Sequence, residues 1–372
     1  MIYIVTFFIS TIFVYLGDKY KGNRIFSKVL LIAGVLFVSI LAGVRDLSIG
    51  TDIKTYGEWL FKGASSGIGF FSFIKANSDI EPLFLALVYA VAKFFSDSHW
   101  LYFAIGLLQY GFTLAGIMNF RGKISVPYSW FCFLLIFYGD TLNAMRQFIA
   151  LASAFWAFYY FFKGEYKKYV VWTIIAVLFH NTAIVSFFIA VIYFVLKNHN
   201  TFYTRVGIVV AALFATSLYS VLLQFFINVG LFSDKYTRYL GGSSGFSINP
   251  ILIRLPFIIL ILVIYKQFCN YQSAKYQSLE KYNTDFLIIM LIIEMLTAEM
   301  RALLPALYRI SFCFGYAKCI AYSRIAKVHT KNERVIYSFT IIVFLIILWV
   351  YQNVLQGNNE IYPYTSIILG IL

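Results

Sequence analysis

The chain has 372 residues, of which 61% are hydrophobic, 20% aromatic and only 12% charged. A soluble domain is roughly half apolar and about a quarter charged, so this composition excludes a water-facing globular protein and leaves an all-α polytopic integral membrane protein. Thirty Lys and Arg against sixteen Asp and Glu give +14, but the basic residues fall in short loops between apolar runs, as cytoplasmic loops do, and nucleic acid is not expected as a partner. A β-barrel would alternate apolar and polar residues over roughly 10-residue segments; the run 335–350 shows no such alternation.

A helix crosses the bilayer core with about 20 mainly apolar residues. On that length, spans are predicted at about 2–16, 26–44, 81–97, 99–119, 127–143, 144–162, 169–196, 206–230, 251–268, 284–300, 302–320 and 335–354. That makes about 11–12 transmembrane helices in one integral membrane domain over 1–372. The first segment, MIYIVTFFISTIFVYL, has no basic n-region and no small-residue cleavage signature, so it is expected to remain as a span. Cys132, Cys269, Cys313 and Cys319 lie in or beside apolar segments without C-x-x-C spacing and read as core hydrophobes.

Orientation follows from the basic loops. Lys19, Lys21, Arg24 and Lys28 lie in one, Arg121 and Lys123 in another, and Lys163, Lys167 and Lys168 in a third. With Lys197 and Arg205, Lys266 through Lys281, and Lys318 through Arg334, they are placed in the cytoplasm. The outer side then receives 45–80, 231–250 and the tail 355–372, where the short TSIILGIL segment is expected to dock. Two consequences follow. The segment 169–196 must break near His180-Asn181-Thr182, and 81–119 holds two apparent spans where the charges require an odd number. Either one of that pair does not cross or part of 57–76 enters the bilayer.

Charged and amide side chains near the spans are the functional candidates, because each is costly unless it faces a cavity or a partner. In Arg45 to Trp59, Gly50 permits a turn and Thr51 or Asp52 can cap a helix. Tyr56, Trp59, Leu60 and Gly63 then share one face of an amphipathic interfacial helix. Asn143, Arg146, Gln147 and Ala150 share a face that needs a polar cavity or an ion pair, with Asp140 as the nearby partner. Phe179-His180-Asn181-Thr182 sits at the proposed break, and broken helices are tolerated where they line a cavity. Glu294 and Arg301 lie on one face and can pair, and Arg309 follows a kink expected at Pro305. No metal-ligand set, Walker motif, dinucleotide fingerprint or nucleophile elbow is present, so no metal or cofactor is expected.

Arg45, Arg146, Arg301 and Arg309 map toward the outer side. Guanidinium groups match phosphate oxygens bidentately, and 29 Tyr, 6 Trp and 40 Phe suit a lipid tail and sugar faces. The residues alone therefore point to an outward-facing pocket for an anionic lipid or a lipid-linked sugar.

The same residues resemble a family. Arg45 followed by Gly50-Thr51-Asp52 and Tyr56 is similar to the R-x4-G-T-D-x3-Y motif of the EpsG/Wzy-like polysaccharide polymerases. Glu81-Pro82, Asn143-x2-Arg146-Gln147 with Ala150, Phe179-His180, Arg309-Ile310 and Pro363-Tyr364 match in order. Thr182 stands where the family commonly has Ser, and Phe312-Cys313-Phe314 follows Arg309 where Tyr-Phe is usual. The resemblance implies a GT-C-like, metal-independent glycosyltransferase in the bacterial inner membrane, its active site facing the periplasm or exterior. Its expected partners are the bilayer, undecaprenyl-diphosphate-linked glycans as donor and acceptor, and a chain-length regulator. The reaction implied is polymerisation of repeat units into O-antigen, capsule or exopolysaccharide, with the diphosphate lipid leaving.

On that reading Arg146 and Arg309 hold the diphosphate, with Arg45 and Arg301 contributing. Thr51, Tyr56, Asn143, Gln147 and Tyr364 line the substrate site. His180 or Asp52 is the base, with His180 favoured because its ordinary pKa of about 6.5 suits proton removal near neutrality. A flippase or transporter for the same lipid would want these arginines together with internal repeats and midplane ion-coupling carboxylates; no repeat is visible. An O-antigen ligase or membrane acyltransferase is chemically close.

Overall fold

Helix ends in a membrane protein must be satisfied within the protein, so the fold is best followed from one helix end to the next. The computed structural model describes residues 2–229, 248–265, 277–299, 307–328 and 331–371. It confirms an all-α polytopic membrane protein, with no strand among the described residues. Five helices there are long and apolar enough to cross a membrane: Ile2–Lys19, Arg24–Gly43, His99–Met118, Asn181–Asn198 and Glu333–Leu355. The chain forms two compact units, Met1–Ile184 with Val335–Leu372, and Val185–Arg334.

The first unit is built on α1 (Ile2–Lys19), α2 (Arg24–Gly43) and α6 (His99–Met118). Small residues bring these helices together, as is usual where apolar attraction between helices is weak. Ser10 Oγ donates to the Gly34 carbonyl at 2.6 Å, and Ser27 Oγ to that of Gly17 at 2.6 Å. A Cβ at Gly43 would lie 2.7 Å from that of Phe103, so α2 and α6 touch backbone to side chain. Val5, Phe8 and Ile12 on α1 and Ile25, Val29 and Ile32 on α2 stay exposed, forming the apolar outer surface that lipid would cover.

The two ends of this unit differ in character. At one, Arg121 beyond α6 pairs with Asp18 at 2.5 Å, joining the turn after α6 to the last turn of α1. Phe120 packs on Phe162, the last residue of α8 (Met145–Phe162), which brings Lys163 to the same end. Three of the basic loops assigned to one side therefore do share an end. At the other end the tail docks against α1 and α2. Tyr3 donates to the Ile361 carbonyl at 2.8 Å, Tyr364 to Leu41 at 3.0 Å, and the Asp46 N–H to Thr365 at 2.9 Å.

Of the predicted pair at 81–97 and 99–119, the second forms a 20-residue helix long and apolar enough to cross a membrane, while α5 (Pro82–Phe94) is a shorter apolar helix of 13 residues. Those residues rise about 20 Å, against roughly 30 Å for the hydrocarbon core. Glu81 at its start reaches the first turn of α8, and only 95–98 separate its end from the start of α6 beside Gly43.

Within 45–80, Tyr56 and Leu60 share a buried face as expected, while Trp59 lies off it. A π-helical turn at Ile53–Gly57 leads into α3 (Glu58–Ser65), followed by α4 (Phe70–Ala76). The wider turn shifts the buried face to Ile53, Tyr56, Leu60, Phe61 and Ala64, and leaves Trp59 exposed with its indole N–H on the Thr55 carbonyl at 2.7 Å. This face packs with Phe73, Phe84, Val88, Tyr102, Met145 and Ile149 into one apolar core, so the segment is a structural part of the bundle.

The second unit contains α10 (Val185–Asn198), α11 (Phe202–Ser217), α12 (Tyr219–Asn228), α13 (Asn249–Val263), α14 (Gln277–Glu299), α15 (Leu307–Gly315) and α16 (Ala317–Val328). Lys318, assigned to a cytoplasmic loop from sequence, is instead buried and donates to Glu294 at 2.7 Å; Arg254 completes the cluster with its Nε 2.9 and 2.8 Å from the two carboxylate oxygens. Arg301, the expected partner of Glu294, lies outside the described residues, as does Pro305. Asp285 is likewise met by Asn200 at 2.5 Å, Tyr265 at 2.7 Å and Arg205 at 3.2 Å.

The two ends of the first unit should face opposite sides of the membrane. Lys54 and Lys167 are both exposed; Lys54→Cys and Lys167→Cys, each in a cysteine-free chain, should react with a membrane-impermeant maleimide from opposite sides. Labelling of both from one side in intact cells would contradict this topology.

Candidate functional site

Two helix breaks form the site. The first separates α7 (Val126–Asn143) from α8 at Ala144, whose φ of −117° and ψ of 53° interrupt the helix. Gln109, halfway along α6, donates to the carbonyls of Thr141 at 3.1 Å and Met145 at 2.9 Å. The break therefore lies at the depth of the middle of α6. Gly50 makes its closest approach possible: it has a φ of +98°, and a Cβ there would sit 3.0 Å from the Leu142 carbonyl oxygen and 3.2 Å from Asn143 Oδ1. Only glycine adopts such a φ without cost.

The side chains around this break complete its backbone. Asp52 makes no side-chain cap to its own helix; it accepts the Met145 N–H at 3.1 Å and the Tyr56 hydroxyl, and so caps α8 from another part of the chain. This corrects the local capping role expected of Thr51 or Asp52, because the orphan donors at the start of α8 lie closer to the carboxylate than those of its own helix. Burial, reinforced by the Asp52 carboxylate and opposed by Arg146, holds the Tyr56 phenol well above its usual pKa, as a donor. Asn143 Oδ1 accepts the Thr51 N–H at 2.6 Å, and its Nδ2 donates to the Asn359 carbonyl at 2.5 Å.

Arg45 is turned inward and only 1% exposed. Its Nε donates to the Ile49 carbonyl at 3.2 Å, its Nη1 to Ala42, and its Nη2 reaches Leu142 at 3.5 Å, with the guanidinium 5.3 Å from the centre of the Tyr102 ring. Its donors serve backbone carbonyls, with Nη2 also 3.7 Å from the Met145 sulfur. Tyr364 is also buried, its hydroxyl committed to Leu41.

The second break follows α9 (Tyr166–Phe179) at His180, which is extended at φ −164° and ψ 130°. The predicted break at His180-Asn181-Thr182 is therefore present, continued by a 3-10 turn at Asn181–Ile184. Ala150 and Ala154 on α8 pack on Ala176 and Ala183, so the two breaks lie side by side. His180 Nδ1 is 2.9 Å from Thr182 Oγ1, which also accepts from Gln147 Nε2 at 3.1 Å.

Glu81 and Arg146 occupy the space between the breaks. One carboxylate oxygen of Glu81 pairs with Arg146 Nη1, and the other accepts the Asn181 N–H at 3.2 Å. The pair foreseen between Arg146 and Asp140 forms with Glu81, while Asp140 accepts from Asn359 at 3.2 Å. The Arg146 guanidinium lies 4.6 Å from the centre of the Tyr56 ring and 5.9 Å from that of Phe84. Its Nε is buried with no hydrogen-bond partner among the described residues.

The structure thus gathers Arg45, Thr51, Asp52, Tyr56, Asn143, Arg146, Gln147, His180 and Tyr364 in the first unit. Arg309 lies exposed on α15 of the second unit, and Arg301 is outside the described residues. Sequence reasoning missed two residues as parts of the site. Glu81 precedes the proline that opens α5, a helix-start pattern, and its carboxylate was the available signal. Asn359, with a φ of 68°, carries the tail onto the first break, and nothing in its local sequence announced that.

Helices that stop inside an apolar bundle, with charged and amide groups collected at the stops, define a polytopic membrane protein with a polar site sunk into its helical body. The family model of the EpsG family matches residues 28–366, and the chain belongs to that family. Membership supports a polysaccharide polymerase-like role for a multi-pass membrane protein of the glycosyltransferase type. Neither the curated proteins nor the solved structures contain a match.

Two substitutions test the scaffold separately from the chemistry. A lysine at 45 cannot reach three carbonyls with one ammonium, and Arg45→Lys should cost about 2 kcal/mol of stability. Asn143→Ala should cost roughly 1–3 kcal/mol by leaving the Thr51 and Asn359 groups unpaired. Both should appear as lower unfolding midpoints in detergent, and unchanged midpoints would contradict the roles given to these side chains.

Proposed function

We propose that this protein polymerises undecaprenyl-diphosphate-linked oligosaccharide repeat units into O-antigen, capsule or exopolysaccharide at the outer face of the inner membrane. The growing chain leaves its lipid carrier and is transferred to the sugar of an incoming unit. The observation that carries this reading is the seat of Arg146: a guanidinium at the meeting of two helix breaks, paired with one carboxylate, its buried Nε unused. A diphosphate presents several oxygens, and a planar fork backed by aromatic faces suits that anion.

The chemistry follows from charge. The leaving diphosphate gains negative charge as its bond to the anomeric carbon breaks, and a fixed cation in a poorly solvated site lowers that barrier. Arg146 and the Asn181 N–H supply two donors on one side of the site. The Tyr56 ring centre lies 4.6 Å from the guanidinium. Asn143 accepts the Thr51 N–H, and Gln147 donates to Thr182, which also meets His180 at the break after α9. Asp52, committed to the start of α8, acts by positioning Arg146 one residue further on.

Arg146→Ala should abolish long-chain glycan in cells while single-repeat lipid persists, a loss of at least 100-fold if one charge-stabilising donor set is removed. A wild-type chain-length ladder from that strain would reject the assignment. Arg146→Lys keeps charge but not the fork and should retain only a small fraction of polymer.

A further inference from the structure

In the resting site Glu81 occupies the place of an anion. Its two oxygens are held by Arg146 Nη1 and by the Asn181 N–H, a cation and a backbone donor at a helix break. Those are the groups a phosphate oxygen would need. The Glu81 side chain is 9% exposed and that of Arg146 20%, so the pair is shielded but still reachable. The two other acid or base candidates are differently placed. Asp52 caps α8 and accepts from Tyr56, so moving it would open the start of that helix. His180 shares its Nδ1 with Thr182.

We propose that Glu81 is the general base of the glycosyl transfer, and that binding of the donor's diphosphate activates it by displacing its carboxylate from Arg146 and Asn181. This rests on the polymerase reading above. Before substrate arrives, both carboxylate oxygens are engaged by Arg146 and the Asn181 N–H. Once the diphosphate takes over those donors, the carboxylate is released to meet the acceptor hydroxyl. The base is therefore switched on only when the leaving group is already held, which protects the lipid-linked donor from idle hydrolysis.

The step balances. The acceptor hydroxyl oxygen forms its bond to the anomeric carbon of the donor glycan as the bond from that carbon to the diphosphate oxygen breaks. The electron pair of the broken bond leaves with the lipid diphosphate against Arg146, and the hydroxyl proton passes to the Glu81 carboxylate. When the lipid diphosphate departs, Glu81 gives up the proton to water and returns to Arg146.

The test separates binding from turnover in the full-length protein. Undecaprenyl diphosphate is titrated against the purified protein in detergent, and polymer is scored in a strain lacking the chromosomal copy. Glu81→Gln removes the competing charge and the base together. It should bind undecaprenyl diphosphate at least threefold more tightly than wild type and form at least 100-fold less polymer. A merely structural role would not tighten binding. Glu81→Asp, which keeps a carboxylate, should make at least tenfold more polymer than Glu81→Gln. Unchanged or weaker binding by Glu81→Gln, polymer above one-tenth of wild type, or equal loss in both variants would overturn the proposal. Failure of the polymerase reading is distinguishable, since wild type itself would then neither bind undecaprenyl diphosphate nor restore polymer.

Discussion

A helix that stops inside an apolar bundle leaves backbone donors and acceptors with no water to satisfy them. The first unit contains two such stops, at Ala144 and at His180, and its architecture is organised around completing them. Asp52 answers the start of α8, Glu81 answers Asn181, and Gln109 takes the carbonyls of Thr141 and Met145. Arg45 gathers the carbonyls of Ala42, Ile49 and Leu142. The segment 45–80, the short α5 and the docked tail all supply groups to one of these places.

The same constraint produces the site. Polar groups brought in to satisfy broken helices form a connected patch in an apolar body, where electrostatic interactions are stronger than in water. Arg146 differs from the rest: one terminal nitrogen pairs with Glu81, and its buried Nε has no hydrogen-bond partner among the described residues. Arg45, seen in the sequence as an equal member of the arginine set, spends its donors on backbone.

Much of this was legible in the chain. The break at His180-Asn181-Thr182 followed from charge placement and length, and the shared end of the basic loops at 19–24, 121–123 and 163–168 followed from the same rule. The residues that meet at the site were also named, because Arg, Asn and Gln on a helix face near lipid demand a partner. The partners themselves were not legible. Asp140 lies six residues from Arg146 and looked the natural counter-ion, whereas Glu81, 65 positions away, takes the role. Glu294 likewise pairs with Arg254 and Lys318 at separations of 40 and 24 residues. Spacing along a helix reports faces, and these pairings are made between helices.

By itself, the sequence determined the membrane environment, the helical class, the shared end of three short basic loops and the identity of most polar residues that needed explaining. Those properties depend on composition and local periodicity, which a linear chain carries directly. Tertiary structure alone decided that α5 is a short helix whose first residue meets α8, that Trp59 turns away from the face of Tyr56 and Leu60, and that Asp52 caps a helix begun 93 residues later. It also decided which arginine is spent and which retains donors. Each of these turns on where a distant helix end falls in three dimensions, and an unsatisfied backbone group recruits the nearest side chain in space, whatever its distance in sequence.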